Sequence, residues 1–288
     1  MPGLRALRVS SALRADGARG ALLAQPRHCV PQGCACAVGV VRSGLPILLR
    51  IDILKGRGGL GVGEEVRMKV VARMRGDFST KFGIPRQSGL VESLESLVVF
   101  EPEYRDANAL RGIEQFSHLW LIWQFSENAD AGWSPTVRPP KLGGNTRLGV
   151  FATRSPFRPN PIGLSSVKLL GVEQDSVYGL ALRVSGADLM DGTPVLDIKP
   201  YVPYTDAHPD AAAGYTAHTS EGRLQVDFPE TLLRRVPEAK RNALLGALAQ
   251  DPRPGYQADP KRVYGFPFAG QEIRFRVADG TLTVLEIK

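Results

Sequence analysis

From about residue 68 onward, apolar and polar positions alternate, or gather into apolar runs, over lengths that suit strands better than helices. SLESLVVFEP (93–102) passes from alternation into a short apolar run, the pattern of a strand that becomes buried. SHLWLIWQF (117–125) is apolar and aromatic at strand length, and TPVLDIKPYVP (193–203) is a further strand ended by prolines. GLSSVKLLGVEQDSVYGLALRVSG (163–186) predicts two strands joined by a polar turn around Gln174–Ser176. ANALRGIEQF (107–116) predicts a short helix. Many short strands divided by turn signals, with no internal repeat, predict a mainly β chain folded as a barrel or sandwich. Trp120 and Trp123 read in two ways: they fill the barrel's own core, or they lie exposed and need a partner to cover them.

The pattern changes after residue 222. ETLLRRVPEAKRNALLGALAQ (230–250) has helical spacing, with Pro237 starting a second helix or kinking the first. DPRPGY (251–256) predicts a rigid loop, and RVYGFPFAG, QEIRFRVADG and TLTVLEIK predict strands parted by Gly-containing turns. This is a small α+β module over 223–288. At that size a solitary core is marginal, so it is expected to pack on the barrel of 68–222.

Composition alters this picture mainly at the front. The 288 residues are 43% hydrophobic and 23% charged, values of a globular protein, and no window has the apolar length that crosses a membrane. The net charge is +7, but residues 1–67 hold ten basic and four acidic side chains, leaving 26 and 25 for 68–288. A polyanion would therefore be met by a local patch rather than by overall charge. Residues 1–67 also hold all three cysteines, Cys29, Cys34 and Cys36, beside His28, and no aromatic residue. A zinc site, a transit peptide and a non-native extension ahead of Met68 compete for this stretch. The extension is favoured: Cys-x4-Cys-x-Cys is not a familiar ligand spacing, the stretch is not Ser-rich, and a recognisable domain begins at Met68. No metal and no disulfide framework are expected, and a chain starting at Met68 is expected to fold.

The chemistry gathers in four polar stretches: IPRQSGL (84–90), GGNTRLGVFATRSPFRPNPIGLS (143–165), GADLMDGTPVLDIKPY (186–201) and DPRP (251–254). Each sets Gly or Pro among Asp, Arg, Asn or Gln. A buried charge needs a partner, so Asp188 and Asp191 opposite Arg154 or Arg158 make a reasonable pairing, although Asp-Gly at 191–192 is equally a common turn. Three prolines brace Arg154, Arg158 and Asn160 in one loop, an excess of arginine that a simple turn does not need. No phosphate-binding or dinucleotide Gly-rich loop, Gly-x-Ser-x-Gly elbow or His-Glu-x-x-His is present.

PRQSGL, GIEQFSHLW, GGNTRLGVFATRSPFRPNPIGLS, DLMDGTPVLDIKPYVPYTD and AQDPRP, in that order, closely resemble the TrmO family of tRNA methyltransferases over roughly residues 68–288. The resemblance implies a single-sheet β-barrel methyltransferase domain with a small α+β C-terminal domain. It also implies S-adenosylmethionine as cofactor and methylation of N6 of N6-threonylcarbamoyladenosine, next to the anticodon of tRNA. A cytoplasmic homodimer, with cofactor near the subunit interface, is implied as well. The implied cofactor residues are Pro85, Arg86, Gln87, Arg154, Leu164, Asp188, Leu189, Met190 and Asp191, with Ser126 and Glu127 where family members often carry His-Gln. The expected substrate residues are Arg158, Asn160, Lys199 and Tyr201, with the anticodon stem-loop as partner. On physical grounds a carboxylate such as Asp188 or Asp191 would hold the ligand's amine or sulfonium, and Arg86 or Arg154 its carboxylate. A non-catalytic module that binds adenosylmethionine or RNA is the alternative; a hydrolase built on Asp188 and Asp191 lacks a nucleophile or metal set.

Overall fold

The computed structural model describes residues 66–142, 145–218, 222–253, 257 and 259–288. The cysteines and His28 lie outside them. The described part is mainly β, with strands β1 Ala72–Arg75, β2 Glu95–Phe100, β3 His118–Gln124, β4 Thr136–Val137, β5 Leu148–Gly149, β6 Ile162–Asp175, β7 Gly179–Ser185 and β8 Pro194–Pro200. The C-terminal module adds β9 Gln225–Asp227, β10 Val263–Phe268, β11 Gln271–Ala278 and β12 Thr281–Ile287. Helices are few: α1 Pro203–Asp206, α2 Glu230–Leu233 and α3 Glu238–Ala249.

Six strands follow one another in the order β1-β2-β7-β6-β3-β8, and β1 also pairs with β8, so the sheet closes on itself as a barrel. Closure leaves no row of unpaired backbone groups at an edge. Alternation sets what points inward. Leu119, Leu121 and Trp123 of β3 face the interior with Gly163, Ser165 and Val167 of β6, directly opposite in register. Trp123 is thus a core residue, 8% exposed, whereas Trp120 lies on the outer face, its indole N–H donating to Asp206 at 2.8 Å and its ring 5.5 Å from that of Tyr201. Successive side chains point to opposite faces, so Trp123 alone fills the core, while Trp120 is half-buried against Asp206 and Tyr201 of the same chain rather than left exposed.

The helix expected at 107–116 is instead two 3-10 turns, Ala107–Leu110 and Ile113–Gln115. Gly112, with φ 87°, breaks the run in the left-handed region that an α-helix excludes. The turn between β6 and β7 falls at 176–178, where Asp175 Oδ1 accepts the N–H groups of Val177 and Tyr178. Pro237 does separate two helices, standing as the N-cap of α3.

β10, β11, β12 and β9 form the second sheet in that order, with α3 against it. Its core does not stop at the module's boundary. Phe78, Val91 and Leu94, from the excursion between β1 and β2, are buried in the same cluster as Leu244, Phe266, Phe268 and Phe275. The Phe78 ring lies 5.2 Å from Phe268 and 5.9 Å from Phe266, and Asp77 pairs with Lys240 of α3 at 2.7 Å. Ala269 N–H donates to the Asp77 carbonyl at 2.9 Å. Residues 77–94 are therefore a strap that leaves the barrel, enters the C-terminal core and returns.

Candidate active site

The strap carries Pro85, Arg86 and Gln87 out of that shared core. Pro85 is buried and Arg86 exposed. The Arg86 guanidinium donates to the carbonyls of Arg253 at 3.0 Å and Asp251 at 3.5 Å, and Gln87 Nε2 donates to the Arg86 carbonyl at 2.6 Å. Asp251 is in turn held bidentately by Arg253, at 2.8 and 2.9 Å. The Asp-Pro-Arg segment thus buttresses the strap.

The braced loop runs from the 3-10 turn Val150–Ala152 into β6, with Val150 buried as its anchor. Arg154 leaves it toward the strap and donates through Nη1 to Gln87 Oε1. Arg158 turns back into its own loop, donating to the carbonyls of Val150 at 3.1 Å and Thr153 at 2.7 Å and lying 5.5 Å over the Phe151 ring. Asn160 is exposed, its carbonyl accepting from Ile162 N–H at 2.7 Å.

The third segment follows β7, where Gly89 N–H donates to the Gly186 carbonyl at 2.8 Å and so ties the strap to the turn. Asp188 sits there, half-buried, and accepts the Ser165 hydroxyl at 2.6 Å. Ser165 itself, 1% exposed on the inner face of β6, accepts the Trp123 indole N–H at 2.9 Å. Burial pushes the Asp188 carboxyl above its ordinary value, while the Ser165 hydroxyl, its own and Ser88's backbone N–H, and the charge of Arg154 all pull the other way. Such a carboxylate has much to gain from a cation.

Three of the four polar stretches therefore converge in the order Asp188, Arg154, Gln87, Arg86, and the fourth buttresses them. Leu189 is buried beside Asp188, and the Met190 carbonyl closes a turn onto Thr193. Asp191 has a framing position: it accepts Gly76 N–H at 3.2 Å and lies 3.4 Å from Arg75, away from both arginines of the braced loop. Ser126 and Glu127 form a 3-10 turn just after β3, beside the hydrogen bond from Phe125 N–H to the Pro161 carbonyl. Leu164 is 54% exposed on the opposite face of β6 from Ser165. Lys199 pairs with Asp197 at 2.8 Å, and the Tyr201 ring lies tilted against Trp120, at the end of β3 away from the braced loop. Within one chain these last three do not reach the Asp188 cluster.

Two features escape sequence reading. Ser165 is one serine in an alternating strand, and only the register with Trp123 reveals it as an inward polar group. The second is a cleft of about 1610 Å³ between the strap, the β4–β5 hairpin, the braced loop, residues 212–216 and residues 247–253. Arg154 and Gln87 stand on its wall. Among the described residues no group of three or more His, Cys, Asp or Glu could hold a metal ion, and no helix is long and apolar enough to cross a membrane.

The chain matches two family models: the tRNA-methyltransferase O N-terminal domain over residues 73–207, and the TrmO C-terminal domain over 221–288. The tRNA (adenine(37)-N6)-methyltransferase of Escherichia coli K12 is 42% identical over 226 residues, covering 75% of this chain and 94% of that protein. A putative S-adenosylmethionine-dependent methyltransferase of Pseudomonas aeruginosa is 42% identical over 203 residues, 68% of this chain and 85% of that one. A crystal structure of TrmO from P. aeruginosa superposes with a TM-score of 0.64 at 34% identity, covering 80% of this chain and 99% of the other.

Proposed function

The chain belongs to the TrmO family, and from that premise we propose that it methylates N6 of an adenine in tRNA with S-adenosylmethionine as donor. The finer reading is that the base is N6-threonylcarbamoyladenosine next to the anticodon, modified in the cytoplasm. The barrel is the methyltransferase domain.

The observation that carries the reading is the half-buried Asp188 in the field of Arg154, which with its partner Gln87 stands on the wall of the cleft. The donor set fits the cofactor: a carboxylate short of cationic partners for an ammonium or sulfonium, and an adjacent guanidinium for a carboxylate. When bound, the cofactor supplies an electrophilic methyl group. Asp188, Arg154, Gln87 and Arg86 would hold its amino-acid end, with Pro85, Leu189 and Met190 shaping the wall. In-line displacement depends on alignment, and the strap and braced loop provide it by fixing these side chains from both sides. Asp191 serves by tying the end of β1 to the Asp188 turn. Ser126, Glu127 and Leu164 are proposed to complete the cofactor site, and Arg158, Asn160, Lys199 and Tyr201 to serve the substrate.

Because Leu164, Lys199 and Tyr201 lie away from Asp188 within one chain, we propose that their roles are met in a homodimer. Exposed Ile162 and Leu164 form an apolar stretch on the outer face of β6 that a second copy would cover. A monomer mass by light scattering at micromolar concentration would count against it.

The central test is transfer of a labelled methyl group from S-adenosylmethionine to purified tRNA, followed by digestion to nucleosides. Label in N6-methylated threonylcarbamoyladenosine is expected. Cofactor binding without transfer would leave the non-catalytic module instead.

A further inference from the structure

Among the described residues six cations line the cleft: Lys81, Arg86, Arg138, Arg147, Arg154 and Arg253. One acid, Asp251, accompanies them, and Arg253 already holds it bidentately. Of the 26 basic and 25 acidic side chains in residues 68–288, the cleft thus takes six and one. Setting aside Lys141 and Glu221, whose side chains are not described, the remaining described side chains are 19 basic against 23 acidic, so the attraction for a polyanion concentrates in one concave surface. Among the described residues Arg147 donates to the Thr136 hydroxyl at 2.9 Å and meets no carboxylate, so it keeps its charge for a ligand.

Of the four aromatic residues that line the cleft, Phe82, Phe151, Phe157 and Tyr215, two are exposed. Phe151 is 74% exposed and Phe157 41% exposed, and both line the cleft. An aromatic side chain left in water on a proline-braced loop costs free energy unless something covers it. Arg158 lies over one face of Phe151 with its guanidinium tied to two carbonyls, so the ring is held in place before any ligand arrives.

We propose that this cleft is the RNA-gripping surface: Lys81, Arg138 and Arg147 take phosphates beside the cofactor-holding Arg86 and Arg154, and the free face of Phe151 stacks an unpaired base. This rests on reading the chain as a tRNA-modifying enzyme and names the surface that such a reading leaves open. An acidic peptide would satisfy the cations but not the aromatic platform, whereas every base offers a π-face to stack on. Five of the six cations are arginines, whose planar fork matches phosphate oxygens. At about 1610 Å³ the cleft exceeds the roughly 300–1,000 Å³ of ordinary small-molecule pockets. Arg154 belongs both to this wall and to the Asp188 cluster, so a strand laid in the cleft delivers its base beside the methyl donor.

The test is equilibrium binding of purified tRNA to the full chain across a salt series, with cofactor affinity and melting temperature measured in parallel. The variants are the Arg138→Ala/Arg147→Ala pair, Phe151→Ala, Phe151→Tyr, and Arg234→Ala as a control at the C-cap of α2, outside the cleft. The arginine pair should bind about tenfold more weakly, with a salt slope shallower by about 1 to 2, because two phosphate contacts go. Phe151→Ala should lose about tenfold with its slope unchanged, and Phe151→Tyr should recover it, because stacking releases no counterions. Arg234→Ala should change nothing, and cofactor affinity should hold throughout. If the β4–β5 hairpin does not tolerate the paired change, Lys81→Glu on the exposed strap makes the same test. Wild-type affinity and slope in the arginine pair, with methyl transfer to tRNA intact in the wild type, would overturn the cleft alone. Absence of any transfer by the wild type would instead sink the functional reading beneath it.

Discussion

Asp188 is a carboxylate in a place that disfavours carboxylates, and its neighbours only partly make up for that. Its folded-state pKa lies above its unfolded value, so the stability it contributes is complete below the ordinary carboxylate value and is lost as pH rises through the raised one. Ionised at neutral pH, it is a cost of folding that a bound cation would offset. Cofactor affinity should therefore climb with pH through the same window, because the ligand's positive charge selects the ionised form. Ser165 donates to the carboxylate and pulls its pKa down. Ser165→Ala should then move the rise in affinity to higher pH, and Ser165→Thr, which keeps the hydroxyl, should move it back. The same change to alanine strips Trp123 Nε1–H of its acceptor, at about 1–3 kcal/mol for a buried unmet donor. Calorimetric titration of S-adenosylmethionine from about pH 5 to 8 reads the shift. An affinity profile in Ser165→Ala that overlays the wild type would remove Ser165 from the site. Asp188→Asn should flatten the profile altogether.

At the scale of elements, the strand that carries Ser165 depends on a glycine for space rather than for backbone freedom. A Cβ on Gly163 would stand 2.3 Å from the indole ring of Trp123, directly across the ladder. Gly163→Ala should push that ring off Ser165, costing about 1–3 kcal/mol as overpacking does, and weaken cofactor binding through Asp188. Chemical denaturation and calorimetry on the variant check both; a stability within error of wild type would mean the indole has room to move. Much of this architecture was legible beforehand. The aromatic run 117–125 is β3 within a residue at each end, the two strands of 163–186 are β6 and β7, and the four polar stretches are the ones that meet or buttress the site. The misses share a cause. The helix expected at 107–116 is broken by Gly112, the four-residue β1 and three-residue β9 are too short to show a period, and Ser165 differs from a surface serine only by the face its register gives it. Pairing partners decide these features, and a pattern read along one chain does not contain them. The cleft's Arg138 and Arg147 were hidden likewise, since nothing local marks a surface strand's arginine as one of six around a common space.

Across the whole molecule, the C-terminal module looks remote from the chemistry and is not. It buries Phe78, Val91 and Leu94 of the strap, and the strap carries Arg86, Gln87 and the Ser88 N–H to Asp188. The strap is fitted closely enough that Gly83, at φ 95°, leaves no room for a Cβ against Phe266, which would stand 2.6 Å from it. Phe78 is 1% exposed and touches two phenylalanines of β10. Phe78→Ala should cost about 3–5 kcal/mol, the usual range for a buried Phe cut to Ala. Its informative effect is on binding. With the strap's anchor gone, Gln87 and Ser88 lose their fixed distance to Asp188, so the folded variant should also bind S-adenosylmethionine more weakly, although Phe78 touches none of those groups. Lys240→Ala, which removes the partner of Asp77 from α3, should act in the same direction and more gently. Calorimetry well below each variant's melting temperature separates loss of fold from loss of site. If Phe78→Ala is less stable yet binds the cofactor as tightly as wild type, the barrel alone fixes the strap, and the C-terminal module acts only as a cover.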